Sequence, residues 1–187
     1  MSAAIPGRES DADGGPPPFR ERLRWLDEGE IRDGDIRYLM LRSDALMGVF
    51  RALPAEHRGP ALAAFAQSIV RHGGKSARAY QAMGADDGAR LLEVIRATAP
   101  QLGWGRWTVV EYSAARLIIE VENSPFAAGW RVAEGEVDSP PDTVCAPIVG
   151  MLTVVGAMVL GGEVVVTERV CACHGQTPRC RFDVGLR

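Results

Sequence analysis

The stretch "ERVCACHGQTPRC" near the C-terminus concentrates side chains that could bind a metal. Three cysteines and one histidine stand between positions 171 and 180, and Cys145 is the only other cysteine of the chain. Thiolates and imidazoles at short spacing are typical zinc ligands, but they can also form a redox pair or be plain buried thiols. Which of these applies depends on how the helices and strands that carry these residues position their side chains.

The segment before the cysteine cluster predicts a buried helix. From Ala146 to Gly162 there is no charged residue, but these 17 positions are at the short limit for crossing a bilayer and include Pro147. A strand pattern follows directly. We therefore expect a helix packed inside the protein and no membrane span.

The lengths of this helix and of the strand after it can be compared. A helix over 145–160 rises about 22 Å at roughly 1.5 Å per residue. If the chain reverses after it, a strand over 163–170 returns about 17 Å at Glu168 and about 26 Å at Cys171, at roughly 3.3 Å per residue. The returning chain should therefore pass beside Cys145 between those two residues.

Glu168 is predicted to point into the core. On a strand it shares a face with Val164, Val166 and Val170. A buried carboxylate without a partner is costly, so it needs a cation or must keep its proton. Because Glu168 and Cys171 are three residues apart, the strand must also end or bulge near Val170 for both to face one centre.

A thiolate-rich set of four protein ligands suits a structural zinc site. Cys145 begins its helix, where the dipole favours a thiolate. Cys173 or His174 could replace one of the ligands, and cysteines without metal or a redox C-x-C pair remain alternatives. The predicted ligands are Cys145, Glu168, Cys171 and Cys180.

The rest of the sequence favours an α+β fold, with helices packed on one face of a mostly antiparallel sheet. Residues 1–17, rich in Gly, Pro and Asp, are expected to be a disordered leader, and 18–187 to be a single domain. Helical patterns cover 43–53 and 60–99, with an interruption at Gly73-Gly74. Strand and hairpin patterns cover the Asp33-Gly34 turn, 106–112, 116–122, 163–170 and 180–185.

Composition excludes some functions. With 47% hydrophobic residues, 24% charged residues and a net charge of −3, the chain has no basic excess for binding nucleic acid. Its first residues lack the basic and apolar regions of a secretory signal, so we expect a cytoplasmic protein.

The C-terminal third resembles the 4-vinyl reductase domain. "SPFAA" and "VCAPIVGMLTVVGAMVLGGEVVVTERVCACHGQTPRCRF" are similar to that family over roughly 120–184, and the likeness is weaker over 22–120. The family also provides the sensing module of bacterial activators that respond to toluene, xylene and phenols. The resemblance implies a structural zinc held by the four ligands named above. An extra residue after Cys171 and the extra thiol of Cys173 depart from the pattern.

The resemblance implies a domain that binds a small apolar aromatic or a tetrapyrrole-like ligand, and a homodimer. The related activators continue into an ATPase and a DNA-binding domain, whereas this chain ends at Arg187, so we expect no direct DNA binding. Candidate pocket residues are the aromatic and methionine side chains Trp104, Trp107, Tyr112, Phe126, Trp130, Met151 and Met158.

Two other functions are open. Reduction of a vinyl group on a bacteriochlorophyll precursor would need a nicotinamide or flavin site. No G-x-G-x-x-G follows a strand, so our expectation leans away from an enzyme. A protein that only carries such a substrate would not need a nicotinamide or flavin site. A dimeric adaptor would need a helix surface for close approach. Gly150, Gly156 and Ala157 could provide that surface, either within one subunit or between two.

Overall fold

The computed structural model describes residues 17–85, 87–133, 140–175 and 177–187. Within these ranges the chain forms an α+β fold, as the sequence predicted. The helices are α1 Phe19–Arg22, α2 Ser43–Arg51, α3 Ala55–Ala82, α4 Gly88–Gln101, α5 Pro125–Val132 and α6 Ala146–Leu160. The strands are β1 Arg24–Trp25, β2 Ile31–Asp33, β3 Ile36–Tyr38, β4 Arg106–Tyr112, β5 Arg116–Glu122, β6 Val164–Val170 and β7 Arg179–Leu186.

The strands form two antiparallel sheets. The N-terminal sheet has the order β1-β2-β3, and the predicted hairpin at Asp33-Gly34 joins its last two strands. The larger sheet has the order β4-β5-β7-β6, so β7 lies between two strands that precede it in sequence. The β4–β5 hairpin has the bounds that the sequence predicted.

The larger sheet is apolar towards the helices and charged on its opposite face. Leu117, Ile119 and Val121 of β5 are buried in the core with α6. The opposite face carries half-exposed ion pairs, which contribute little to stability individually. They include Arg106–Glu122, Arg179–Glu120, Arg181–Glu120, Arg116–Asp183 and Arg169–Asp183.

The predicted interruption at Gly73-Gly74 is wrong. Helix α3 runs unbroken for 28 residues, about 42 Å, through both glycines. A side chain at Gly73 would press on Met151 of α6, and one at Gly74 would lie against Val154. The two glycines therefore allow α3 and α6 to pack closely, and this contact outweighs their weak helix propensity.

Helix α6 has the predicted place and is packed inside the chain. Cys145 stands at its N-cap, and Gly161, with φ 73°, ends it in the left-handed region. Gly150 faces α3 and Gly156 faces Val184 of β7, so both glycines serve contacts within one subunit. None of the described helices is long and apolar enough to cross a bilayer.

Three smaller features complete the description of the fold. The helix predicted over 43–53 ends at Arg51, and Asp44 pairs with Arg42 beside its first turn. Asp87 caps α4 by accepting a hydrogen bond from the Arg90 backbone N–H (2.8 Å). Nearly all of the expected leader at 1–17 lies outside the described residues.

Candidate metal centre and ligand cavity

Three cysteine side chains meet at the N-terminal end of α6. The Cys145 sulfur lies 3.8 Å from that of Cys171 and 3.6 Å from that of Cys180, and the last two are 3.9 Å apart. All three residues are buried, and none forms a disulfide. Three thiols far apart in sequence therefore share one buried point.

The sulfur separations fit a tetrahedral zinc site. At about 2.3 Å per zinc–sulfur bond, the edge of a tetrahedron of sulfurs is about 3.8 Å. A disulfide would instead bring two sulfurs to about 2.05 Å. The observed values of 3.6 to 3.9 Å lie close to the tetrahedral edge.

Glu168 completes the cluster. Its Oε2 accepts hydrogen bonds from the backbone N–H groups of Val144 (3.1 Å) and Cys145 (3.0 Å). Its Oε1 is buried and has no hydrogen-bond partner among the described residues. One atom from each of the four residues lies within 4.8 Å of the others, so they are close enough to hold one metal ion. The unpartnered Oε1 is an atom that could serve as a fourth ligand of such an ion.

The elements place these side chains as the sequence predicted. The chain returns from α6 through β6, and Glu168 reaches the start of the helix. The pairing of β6 with β7 shifts register between Glu168 and Val170, which is the predicted irregularity. Cys180 lies on β7 opposite Val121, with its side chain on the core face.

Two residues that the sequence analysis missed contact the sulfurs. The Ser124 hydroxyl lies 3.2 Å from the Cys145 sulfur and accepts a hydrogen bond from the Ala127 backbone N–H. The Ala172 backbone N–H donates to the Cys180 sulfur at 3.3 Å. Such contacts orient and stabilise metal ligands. The serine stands directly before the "PFAA" segment and caps α5, which is the signal that could have identified it.

Burial disfavours the charged forms of Glu168 and Cys145. Burial raises the pKa of the Glu168 carboxyl, and burial with the neighbouring thiols raises the pKa of Cys145 well above its usual value. The contact with Cys145 lowers the pKa of the Cys180 thiol, whereas the contact with Cys171 and burial raise it. The net effect raises the pKa of Cys180 to about 11. Metal uptake must therefore release protons, so metal affinity should rise with pH.

The two alternative ligands lie outside the cluster. Cys173 and His174 belong to a single 3-10 turn, Ala172–His174, between β6 and β7. Cys173 is half-buried and His174 is exposed. Neither contributes an atom to the group of four that could hold a metal.

A second feature is an apolar cavity of about 310 Å³ between α3, α4 and the start of β4. One face of α3 provides Gly73, Ser76, Ala77 and Tyr80, whose spacing is that of a helix face. This wall cannot be recognised from the sequence because the same spacing is typical of core packing. The remaining lining residues are Tyr38, Leu39, Ile69, Ile95, Thr98, Ala99, Leu102, Trp104, Trp107 and Met151.

The candidate pocket residues are not all brought together. Trp107 and Met151 line the cavity, as does Trp104. Phe126 and Trp130 are buried elsewhere in the core, although the Phe126 ring meets Trp104 edge-on at 5.3 Å. Tyr112 is 44% exposed and lines a separate depression between α4 and β4. Met158 packs against the core and does not line the cavity.

Comparisons with known proteins identify the fold. The sequence matches no family profile and no curated protein. The structure is similar to the crystal structure of the phenol-responsive sensory domain of the transcription activator PoxR with phenol, with a TM-score of 0.70 and 22% sequence identity. The match covers 90% of this chain and 86% of that chain.

A vinyl-4-reductase family protein from Methanocaldococcus jannaschii also aligns. It is 14% identical, and the alignment covers 79% of this chain and 96% of that chain with a TM-score of 0.37, which adds nothing to the fold assignment. The PoxR match confirms, at the level of the fold, the resemblance seen in the sequence. The chain therefore shares its fold with the phenol-responsive sensory domain of PoxR.

Proposed function

We propose that this chain is a ligand-sensing regulatory domain for a small aromatic molecule and that a zinc ion stabilises its C-terminal half. The observation that carries this proposal is the apolar cavity walled by Trp104, Trp107 and Tyr80 in a fold shared with a phenol-responsive domain. Ligand sites are mostly apolar clefts with a few polar groups that set orientation. This cavity has that character, because hydroxyls from Ser76 and Thr98 interrupt its apolar walls.

The cavity volume favours a single aromatic ring. A cavity of about 150 Å³ is enough to bind benzene. The cavity of about 310 Å³ therefore has room for one ring with substituents. Four pyrrole rings at the same allowance would need about 600 Å³. We therefore favour a substituted benzene over the tetrapyrrole-like alternative.

The zinc would join three elements. Cys145 would bind it from the start of α6, Glu168 and Cys171 from the end of β6, and Cys180 from β7. A closed set of four protein ligands stabilises a fold and provides no open position for substrate. We place the protein in the cytoplasm as part of this proposal, because thiols available to a metal persist under reducing conditions.

Filling the cavity should abolish ligand binding. Ala77 is fully buried and lines the cavity, so Ala77→Met would place a flexible side chain in the space for the ring. Wild type should show a higher melting temperature with toluene or phenol, because a ligand of the native state stabilises it. Ala77→Met should lose this shift.

The matched control is Ala64→Met, which adds the same side chain at an exposed position of α3. It should keep the shift of the wild type. If Ala77→Met responds to both compounds as strongly as the control does, the ligand does not occupy this cavity. If wild type responds to neither compound, the proposed function is wrong.

A homodimer is a further part of the proposal. Gly150 and Gly156 pack against elements of their own chain, so they no longer support a helix contact between subunits. Exposed apolar side chains beside the N-terminal sheet support association instead, because soluble proteins rarely expose large apolar patches. They are Trp25, Leu39, Met40 and Leu41. Sedimentation equilibrium should give twice the chain mass, whereas a monomer at all concentrations would remove the dimer from the proposal.

A further inference from the structure

We infer that one end of the cavity recognises an oxygen atom on the ligand, through hydroxyl groups of Tyr38, Ser76 and Tyr80, and that Arg22 orients the Tyr80 hydroxyl as the donor. This inference rests on the proposed function and makes it more specific. The expected ligand is a single ring that carries an acceptor oxygen. Arg22, which lies outside the cavity lining, acts as a positioning residue.

Arg22 is held tightly behind the cavity wall. Its side chain is 12% exposed, and its Nη2 lies 3.0 Å from a carboxylate oxygen of Asp33. The same nitrogen donates a hydrogen bond to the Tyr80 hydroxyl oxygen at 3.1 Å. The guanidinium carbon also lies 4.9 Å from the centre of the Tyr80 ring and 5.6 Å from that of Phe19. Together with a contact of its Nη1 with the Met83 sulfur at 3.9 Å, these contacts fix one orientation of the guanidinium.

The contact with Arg22 decides the hydrogen-bonding role of Tyr80. A phenolic oxygen has one proton to donate and can accept through its lone pairs, whereas a guanidinium can only donate. Because Tyr80 accepts from Arg22, its own proton is available for another acceptor. Tyr80 is 4% exposed and lines the cavity. No other hydrogen bond of the Tyr80 hydroxyl is formed among the described residues, so a ligand oxygen in the cavity could accept this proton.

Two further hydroxyls lie at the same end. Ser76 and Tyr80 are four residues apart on α3, so they share a helix face, and Tyr38 reaches them from the end of β3. Burial raises the pKa of the Tyr38 phenol, and Tyr80 and Asp33 add to this effect, while hydrogen bonding from Ser76 lowers it. The mutual influence of these groups supports one polar cluster, and a protonated Tyr38 is a second donor for the ligand.

The nearest aromatic N–H is already engaged. The indole nitrogen of Trp107 donates to the backbone carbonyl of Trp104 at 3.1 Å. Thr98 adds a hydroxyl from α4. Among the described lining residues, Tyr38, Ser76 and Tyr80 are thus the largest group of hydroxyls. This group is also the one that the buried Arg22 guanidinium contacts.

The test compares phenol with toluene, which differ by a hydroxyl in place of a methyl group. Affinities are measured by calorimetric titration for wild type, Tyr80→Phe and the matched control Tyr112→Phe, whose ring is exposed and outside this cavity. Tyr80→Phe should weaken phenol binding about five- to tenfold, the effect of one lost hydrogen bond. Toluene binding should stay within about twofold, and Tyr112→Phe should change neither affinity.

Arg22→Met tests the positioning role, with Arg24→Met at an exposed position as its control. A residue that only supports the fold would weaken both ligands equally, whereas loss of the oriented donor lowers the ratio of phenol to toluene affinity. If Tyr80→Phe or Arg22→Met fails to fold, Tyr38→Phe tests the second donor through the same ratio of phenol to toluene affinity.

The outcomes separate this inference from the proposed function. If wild type binds both compounds and Tyr80→Phe has the same ratio of phenol to toluene affinity, recognition of a ligand oxygen by Tyr80 is wrong. The proposed function as a sensor of aromatic molecules would then be unaffected. Wild type that binds neither compound would overturn both. A ratio that falls in Tyr80→Phe and Arg22→Met but not in their controls supports the inference.

Discussion

Cys145→Ser is expected to lose bound zinc and to lower the melting temperature by roughly 8–16 °C. Cys145 lies at the centre of the cluster, within 3.8 Å of both other sulfurs. A ligand present at about a thousand times its dissociation constant adds about 4 kcal/mol to the free energy of unfolding. For a domain of this size, each kcal/mol corresponds to about 2–4 °C. Elemental analysis and thermal unfolding of the purified variant measure both effects.

Cys173→Ser is the matched control, because Cys173 is the remaining cysteine and is outside the group of four. It should keep near-stoichiometric zinc and the melting temperature of the wild type. Zinc retained by Cys145→Ser, or lost equally from both variants, would contradict the ligand assignment. Treatment of wild type with a chelator should reproduce the loss of stability seen in Cys145→Ser.

Gly150→Ala should destabilise the protein by about 2–3 kcal/mol through overpacking. The added Cβ would stand 2.4 Å from the backbone carbonyl oxygen of Ala66 and 2.9 Å from the Cβ of Ile69. A helix backbone cannot yield as a flexible side chain can, so α6 must move away from α3. Denaturant unfolding of the variant measures the lost free energy.

Gly59→Ala is the control for this substitution. Gly59 lies on α3 as well, but a Cβ there meets no atom within 4 Å. Because alanine has the better helix propensity, this variant should gain about 0.5–1 kcal/mol. Equal effects of the two substitutions would show that close packing of α3 and α6 is not what Gly150 provides.

The sequence contained enough to predict that Glu168 and the cysteines of the candidate metal centre lie close together. A helix bounded by Cys145 and the Gly161 turn has a known rise, and the strand after it has another, so Glu168 could be placed beside Cys145 by length alone. The valines of β6 marked its core face, and the odd spacing to Cys171 required the irregularity that the strand pairing contains. Local rules sufficed because each element was short and clearly bounded.

The cavity could not be predicted in the same way. Its walls come from β3, α3, α4, β4 and α6, and no local period shows which faces of distant elements enclose a space. The weak helix propensity of Gly73-Gly74 predicts a break, but the contact of these glycines with α6 keeps α3 continuous. Nor does the clustering of aromatic residues in the sequence separate Trp107, at the cavity, from Trp130, in the core.

X-ray absorption at the zinc edge tests the central claim most directly. The zinc-loaded protein should show three sulfur neighbours at about 2.3 Å and one oxygen at about 2.0–2.2 Å, from Cys145, Cys171, Cys180 and Glu168. Glu168→Gln should change the oxygen shell and keep the three sulfurs. Two sulfur neighbours or fewer in the wild type, or protein that stays fully stable and takes up no zinc, would contradict the account.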